Sequence, residues 1–280
     1  MKKFLSILCV VVLICGLSCG LSGCEQEKGE FRVGLECAYA PFNWTQADDS
    51  NGAVPISGTP DYAYGYDIMF AKEVADKLGC ELEVVKMEWD ALIPALQSGT
   101  VDAVIAGQCI TAERAAQVDF SDPYAMAQLA ILANAQSGIG SIDDLNQAGK
   151  KVAVKTGSTG DVFATKNLTN AEIVRLADES ACVTEVVQDK ADGFLYDQLT
   201  IYRNNQKNPD TTEAVFIPFQ DPESWGIAVA KGNDELLGQL NEFIAQSKAS
   251  GEFDRLTEKY LASEKAAFDE LGFKWFFDFE

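Results

Sequence analysis

Histidine is absent from this 280-residue chain. That removes Ser-His-Asp and Cys-His catalysis and every histidine metal site at once. The groups left to do chemistry are arginine, carboxylates, hydroxyls and thiols. Cys9, Cys15 and Cys19 fall in an apolar leader and Cys24 at its end, leaving Cys37, Cys80, Cys109 and Cys182 at spacings that fit no zinc pattern. The most suggestive constellation is Asp102–Tyr124, DAVIAGQCITAERAAQVDFSDPY. It opens in an apolar run, Val101–Ala106, bounded by Gly99 and Gly107, which reads as a buried strand. Thr111 is placed to cap a short helix that carries Arg114, and a Ser-Asp-Pro turn closes the stretch. An arginine just past a strand end, beside amides with no helical partner, is a place to hold a carboxylate. An arginine on a helix is more often a solvated surface residue, so the rest of the chain must decide.

The beginning of the chain sets the compartment. Met1-Lys2-Lys3 and the apolar run Phe4–Leu21 read as an export signal, ending in Leu21-Ser22-Gly23-Cys24. This resembles a bacterial lipobox, in which Cys24 becomes the new N-terminus and its thiol carries lipid. The competing reading is an uncleaved membrane helix, since Phe4–Leu21 is about long enough to span. With lipid attached, the chain sits on the outer face of a membrane without a spanning helix. The formal charge is −21 and grows more negative once Lys2 and Lys3 leave. Such a surface repels phosphate backbones and argues against nucleic-acid partners, and it keeps an exported protein soluble.

The elements that would position these groups alternate. Phe31–Cys37 reads as a strand, Tyr39–Trp44 as an aromatic loop and residues 45–64 as a surface excursion. A helix follows Gly65-Tyr66-Asp67 and closes at Gly79; Glu81–Met87 is a strand, and Asp90 is placed to cap a helix to Ser98. Beyond Tyr124 the rhythm continues through strands at Gln128–Asn134, Lys151–Val154, Glu172–Leu176, Gly193–Leu195, Ala214–Pro218 and Gly226–Ala230. A long amphipathic helix around Leu236–Ile244, a shorter one and an aromatic tail, Phe273–Phe279, complete the chain. The tail is expected to pack down, since exposed it would be a sticky patch. The alternation argues for an α/β fold with parallel sheets covered on both faces, binding ligands beyond C-terminal strand ends. Glu36, Tyr39, Gly107–Arg114, Lys155–Thr159 and Asp197 all fall there.

With these residues in place, Phe31–Leu261 resembles the family 3 extracellular solute-binding proteins of amino-acid ABC importers. The resemblance rests on Tyr39-Ala40-Pro41-Phe42, Gly65-Tyr66-Asp67, Trp89-Asp90-Ala91-Leu92-Ile93-Pro94-Ala95-Leu96, Asp102-Ala103, Thr111-Ala112-Glu113-Arg114, Phe120-Ser121-Asp122-Pro123-Tyr124 and Gly226-Ile227-Ala228-Val229, in that order. It implies a type II periplasmic-binding-protein-like α/β fold: two lobes joined by a two-segment hinge, with a ligand cleft between them. The implied parts are a signal peptide (1–23), a tether (24–29), lobe one (30–124 and 226–280), lobe two (129–220) and crossings at about 124–128 and 221–225. It implies no catalytic residue, cofactor or metal. The partners implied are a free polar amino acid and a permease–ATPase complex, with the chain itself monomeric.

Residue by residue, the resemblance implies that Arg114 forms a two-pronged bridge to the ligand α-carboxylate, supported by backbone donors at Cys109 and Thr159. Asp197 would accept from the α-ammonium group and could also cap a helix. Tyr39 and Trp89 would sandwich the ligand side chain, Gly107 would let backbone approach it closely, and Glu36 and Lys155 would meet its variable end. Each also has a plainer reading: core packing for the rings, a solvated surface role for Glu36 and Lys155. Cys109 stands where the family usually has Ser or Thr. Cys37 and Cys109 follow strand ends that could be neighbours, and both a disulfide and two free thiols remain open. Two other functions share this fold: a periplasmic-type dehydratase using an acid in the cleft, and a non-transport amino-acid sensor. Glu36 favours a cationic or amide side chain while Lys155 disfavours Lys and Arg, which leaves the ligand's identity open.

Overall fold

A computed structural model describes residues 29–278, so the leader and Cys24 lie outside the described residues. Two five-stranded sheets organise the chain. The first runs in the order Glu81–Lys86, Glu30–Leu35, Ala103–Val104, Ala228–Val229, Asp119–Phe120; the second Glu172–Leu176, Lys151–Lys155, Gly193–Asp197, Leu129–Asn134, Thr212–Val215. Neither is purely parallel, contrary to the pattern the alternation suggests. In the first, Val33 pairs in parallel with Val84 and Ala103, but Ala228 pairs antiparallel with Val104 and Phe120. In the second, Lys155 runs parallel with Leu176, whereas Leu129 is antiparallel to Asp197. The reason is the connection between sheets. A chain that passes from one sheet to the other and back inserts a reversed strand at each passage. Those passages pair with each other, Ala125–Ala127 against Glu223–Trp225, with Ala125 opposite Trp225.

Residues 45–64 are not a plain surface excursion. With the aromatic loop they build a four-stranded antiparallel sheet, Ala38–Tyr39, Asn43–Gln46, Tyr62–Tyr64 and Val54–Pro55. Gly52, Gly58 and Pro60 fall in its turns, while Pro55 sits in the edge strand opposite Tyr62. Asp90 does not cap a helix: it lies inside a 3-10 turn, Trp89–Ala91, and the α-helix Leu92–Ser98 follows without a side-chain cap.

Helix Tyr66–Leu78 shows how the local sequence sets the packing. Ile68, Ala71, Val74 and Ala75 fall on its buried side, and Gly79 ends it in the left-handed region at φ 73°. Gly65 enters it at φ 129°, where a Cβ would stand 2.3 Å from the Phe42 carbonyl oxygen, so no other residue fits. The aromatic tail packs down as expected. Trp275, Phe276 and Phe277 are buried, Phe276 against Phe42 and Trp225, and its carbonyl accepts from Met126 N–H of the crossing strand at 2.7 Å. The tail therefore belongs to the core that joins the first sheet to the crossings. The second sheet has apolar clusters of its own on its two faces.

Asp67, in the first turn of that helix, is fully buried and accepts from Asn43 Nδ2 at 2.8 Å. Burial pushes its carboxyl up from an ordinary 3.8 to about 7, against the pull of the Asn43 donor. The folded chain thus keeps a proton that the unfolded chain gives up near pH 4. This group's contribution to stability is complete below about pH 4 and drains away as pH rises toward 7. Asp67→Asn keeps an acceptor for Asn43 and removes the ionisation. Its melting temperature should fall less than the parent's between pH 5 and pH 8; equal falls would mean that Asp67 is already ionised in the fold.

Candidate functional site

Arg114 sits on a single helical turn, Ala112–Ala115, whose cap is the Thr111 hydroxyl, accepting from Arg114 N–H at 3.2 Å. Just before it, Ile110 N–H donates to Ser224 O and Gly226 N–H to Gln108 O. Residues 108 and 110 thus face the crossing strand, and the alternation turns the N–H and C=O of Cys109 the other way. The Cys109 carbonyl accepts from Arg114 Nη1 at 2.8 Å, while Nη2 donates to Gly157 O of the opposite lobe at 3.0 Å. The Trp89 ring lies 5.3 Å from the guanidinium carbon, and its Nε1 shares the same Gly157 oxygen at 3.4 Å. Arg114 is 9 % exposed, and among the described residues no carboxylate comes within 4 Å of it. A buried cation satisfied only by neutral carbonyls leaves an uncompensated positive charge, in a chain with 43 acidic residues against 22 basic ones.

The opposite wall comes from the second sheet. Ser158 caps helix Thr159–Asn167, so the Thr159 amide is a first-turn N–H with no intrahelical partner. The Thr159 hydroxyl donates to Glu223 Oε2 at 2.7 Å, and Cys109 Sγ donates to the same oxygen at 3.3 Å. Burial raises the Cys109 thiol well above its ordinary value, which keeps it protonated as that donor. Asp197 ends a strand and caps the next helix: Oδ1 accepts from Leu199 and Thr200 N–H, each at 3.0 Å, and Oδ2 from the Tyr39 hydroxyl at 2.8 Å. Burial pushes the Asp197 carboxyl up and holds the Tyr39 phenol neutral as a donor. Lys155 Nζ bonds Glu36 Oε2 at 2.5 Å with side chains only 4 % and 12 % exposed, and lies 5.0 Å from the Trp89 ring. Neither is a solvated surface residue. Desolvation raises the Glu36 carboxyl while the Lys155 ammonium pulls it back.

Glu36, Tyr39, Trp89, Gly107, Cys109, Arg114, Thr159 and Asp197 line one cavity between the sheets. Lys155 lines a neighbouring cavity and reaches the first through Glu36. The inner cavity is small, about 40 Å³. Gly107 sits at φ 60°, and a Cβ there would meet the Tyr39 and Trp225 rings at 3.1 and 3.2 Å. Its small size therefore serves aromatic packing as well as backbone approach. Cys37 and Cys109 are free thiols, so the disulfide between them is not formed. Cys109 turns to Glu223 instead.

Ser158, within the Lys155–Thr159 stretch, also lines the cavity, and so do Tyr196, Trp225 and Glu223, which the sequence reading does not name as site residues. Trp225 had a signal in the Gly226-Ile227 motif beside it. Glu223 had none, because a lone acid in a connecting segment looks like any solvated loop residue. Among the described residues no group of three or more ligating side chains could hold a metal, and no helix is long and apolar enough to cross a membrane.

The model of the bacterial extracellular solute-binding proteins, family 3, matches residues 31–263. The arginine-binding extracellular protein ArtP of Bacillus subtilis (strain 168) is 31 % identical, over 95 % of this chain and all of its own length. The L-cystine-binding protein TcyJ of Escherichia coli (strain K12) is 30 % identical, over 91 % of this chain and 93 % of its own. Among solved structures, an ancestral amino acid-binding protein, described as a precursor of cyclohexadienyl dehydratase, superposes with TM-score 0.71 at 35 % identity, covering 83 % of this chain and 95 % of that one. The architecture is that of the type II periplasmic binding proteins, two α/β lobes with a cleft between them. By sequence and by fold alike, the chain belongs to the family 3 bacterial extracellular solute-binding proteins.

Proposed function

We propose that this protein is the lipid-anchored, extracellular binding component of an amino-acid ABC importer and captures a polar amino acid by lobe closure. The observation that carries the reading is Arg114: a buried guanidinium with no carboxylate of the chain's own in reach. The ligand's α-carboxylate supplies the missing charge, seated on the guanidinium with the Cys109 and Thr159 amides beside it. Asp197 takes the α-ammonium group with the lone pairs left over from capping. The lobes divide at the boundaries given above, with Ala125–Ala127 and Glu223–Trp225 as the paired hinge. Cys24 carries the lipid, and a permease with its ATPase receives the ligand.

Lobe motion follows from the contacts that bridge the site. A ligand reaches Arg114 once the pairs that cross the cavity part: Glu36 with Lys155, Tyr39 with Asp197, Arg114 with Gly157. The ligand then favours closure because only the closed form lets both lobes touch it. Glu223 favours a second reading, a dehydratase working with an acid that faces the cleft. Incubation with prephenate or arogenate separates the two, since only the enzyme releases an aromatic product.

A thermal-shift panel of amino acids on residues 25–280 should identify ligands by a raised melting temperature. For the best of them, Arg114→Lys should weaken binding by calorimetry about tenfold to a hundredfold, since a hydrogen bond to a charged group is worth roughly 1.5–3 kcal/mol and the planar fork is lost. Unchanged affinity would refute the anchor. Lys155→Met leaves Glu36 without its cation, a loss the chain relieves by opening the cleft to water. Small-angle scattering of the ligand-free variant should show a larger radius of gyration than the parent, with the melting temperature nearly unchanged. A drop in melting temperature with no expansion would make the pair a folding element rather than a latch.

A further inference from the structure

The cleft does not end at the Glu36–Lys155 pair. A second cavity of about 600 Å³ shares Glu36 and Tyr39 with the inner one, so the two are chambers of one cleft. The ion pair and the Tyr39–Asp197 bond stand between them. One wall of the outer chamber is the strand end at Lys86–Glu88; the other is formed by helices Glu179–Val187 and Gln198–Lys207.

Both signs of charge line this chamber, and several are uncommitted. Arg203 is half-buried and makes no hydrogen bond or ion pair among the described residues. With nearly two acids for every base in the chain, a half-buried arginine without one is out of keeping with the rest of the molecule. Lys207, exposed on the same face one turn on, makes no hydrogen bond or ion pair among the described residues, though its charge acts on Glu179. Of the acids, Glu88 has no partner among the described residues, and Glu179 accepts one amide, Asn204 Nδ2 at 2.8 Å. Asp178 is committed to capping its helix, and Lys86 to the Thr45 hydroxyl.

We infer that the outer chamber seats a second zwitterionic head, and that the ligand class is the two-headed amino acids: a diamino dicarboxylic acid with an α-amino-acid group at each end. The inference rests on the reading of Arg114 as the anchor for the first head. The second carboxylate meets Arg203 and Lys207, and the second ammonium meets Glu179 and Glu88. The Glu36–Lys155 pair suits this class for a reason of charge balance. A cationic side chain reaching Glu36 would leave Lys155 buried and alone, and an anionic one would strand Glu36. A zwitterionic head offers one charge to each, so the pair parts without stranding either. The neutral stretch between the two heads lies along Trp89 and Tyr39, which offer ring faces and no further charge.

The test is calorimetry of the parent and Arg203→Ala with two-headed probes, L-cystine and meso-diaminopimelate, and single-headed ones, L-glutamine and L-arginine. Diaminopimelate cannot exchange with the protein's thiols, so it guards against covalent capture of cystine. At least one two-headed probe should bind the parent about tenfold or more tightly than either single-headed probe. Arg203→Ala should reduce that ratio by about tenfold or more, the range expected for one lost charged hydrogen bond. If a single-headed probe binds as tightly as both two-headed ones, or the ratio survives Arg203→Ala, the inference falls while the Arg114 anchor stands. If no probe binds the parent, the inference falls, and the importer reading falls with it only if the full amino-acid panel also gives no shift.

Discussion

A guanidinium nine-tenths buried against carbonyl oxygens is the constraint on which the rest of this molecule turns. Taking an unpaired cation out of water costs several kcal/mol in real proteins, and carbonyl dipoles return only part of it. Much of the surrounding architecture holds that cation in place. The crossing strand fixes Cys109 through its neighbours, so that the Cys109 carbonyl faces the guanidinium. Trp89 supplies a ring face, and the opposite lobe supplies Gly157. Every one of these groups is neutral. The charge is solvated by the protein but not cancelled, which is the condition for a strong response to an anion.

The other polar groups of the cleft are balanced against one another across the lobes. Glu36 holds Lys155, Asp197 holds Tyr39, and Glu223 collects Thr159 and Cys109. Each pairing keeps a buried group from being orphaned while the lobes are together. Removing one side of a pairing leaves a costly charge or dipole behind. If a ligand enters as proposed, it exchanges partners with these groups, and one that satisfies only one member of a pair is penalised by the other.

Much of this was legible in the chain because it is local. Thr111 three residues before Arg114 and Asp197 at a strand end are caps that a sequence displays directly, and both form. The sheets are not purely parallel, because the reversed strands are set by pairings between residues far apart in the chain, such as Leu129 with Asp197 and Ala228 with Val104. Residues 45–64 hide their sheet for a related reason: Gly, Pro and Asp mark turns equally well in an irregular loop and in a small sheet. The pairing of Glu36 with Lys155 was the least visible. Each stands out in the sequence for what it would do to a ligand, and nothing in their spacing says that they find each other first. Glu223 lacked even that much signal, since it reaches the cleft only because two distant segments pair to form the crossing.

Those pairings also impose an order on assembly. The second sheet draws all its strands from Leu129–Val215, one uninterrupted run of chain. The first has Ala228–Val229 between Ala103–Val104 and Asp119–Phe120, so its last two places cannot be filled until residue 229 exists. On a chain made from its N-terminus, the lobe that begins second is complete first, and the earlier lobe waits with an open edge. Cys109 is held by residues 224–226, so the shelf beneath Arg114 is set only once that late segment has arrived. A nascent molecule of this protein therefore gains its fold from the middle outward, and the carbonyl shelf that holds its buried guanidinium almost last.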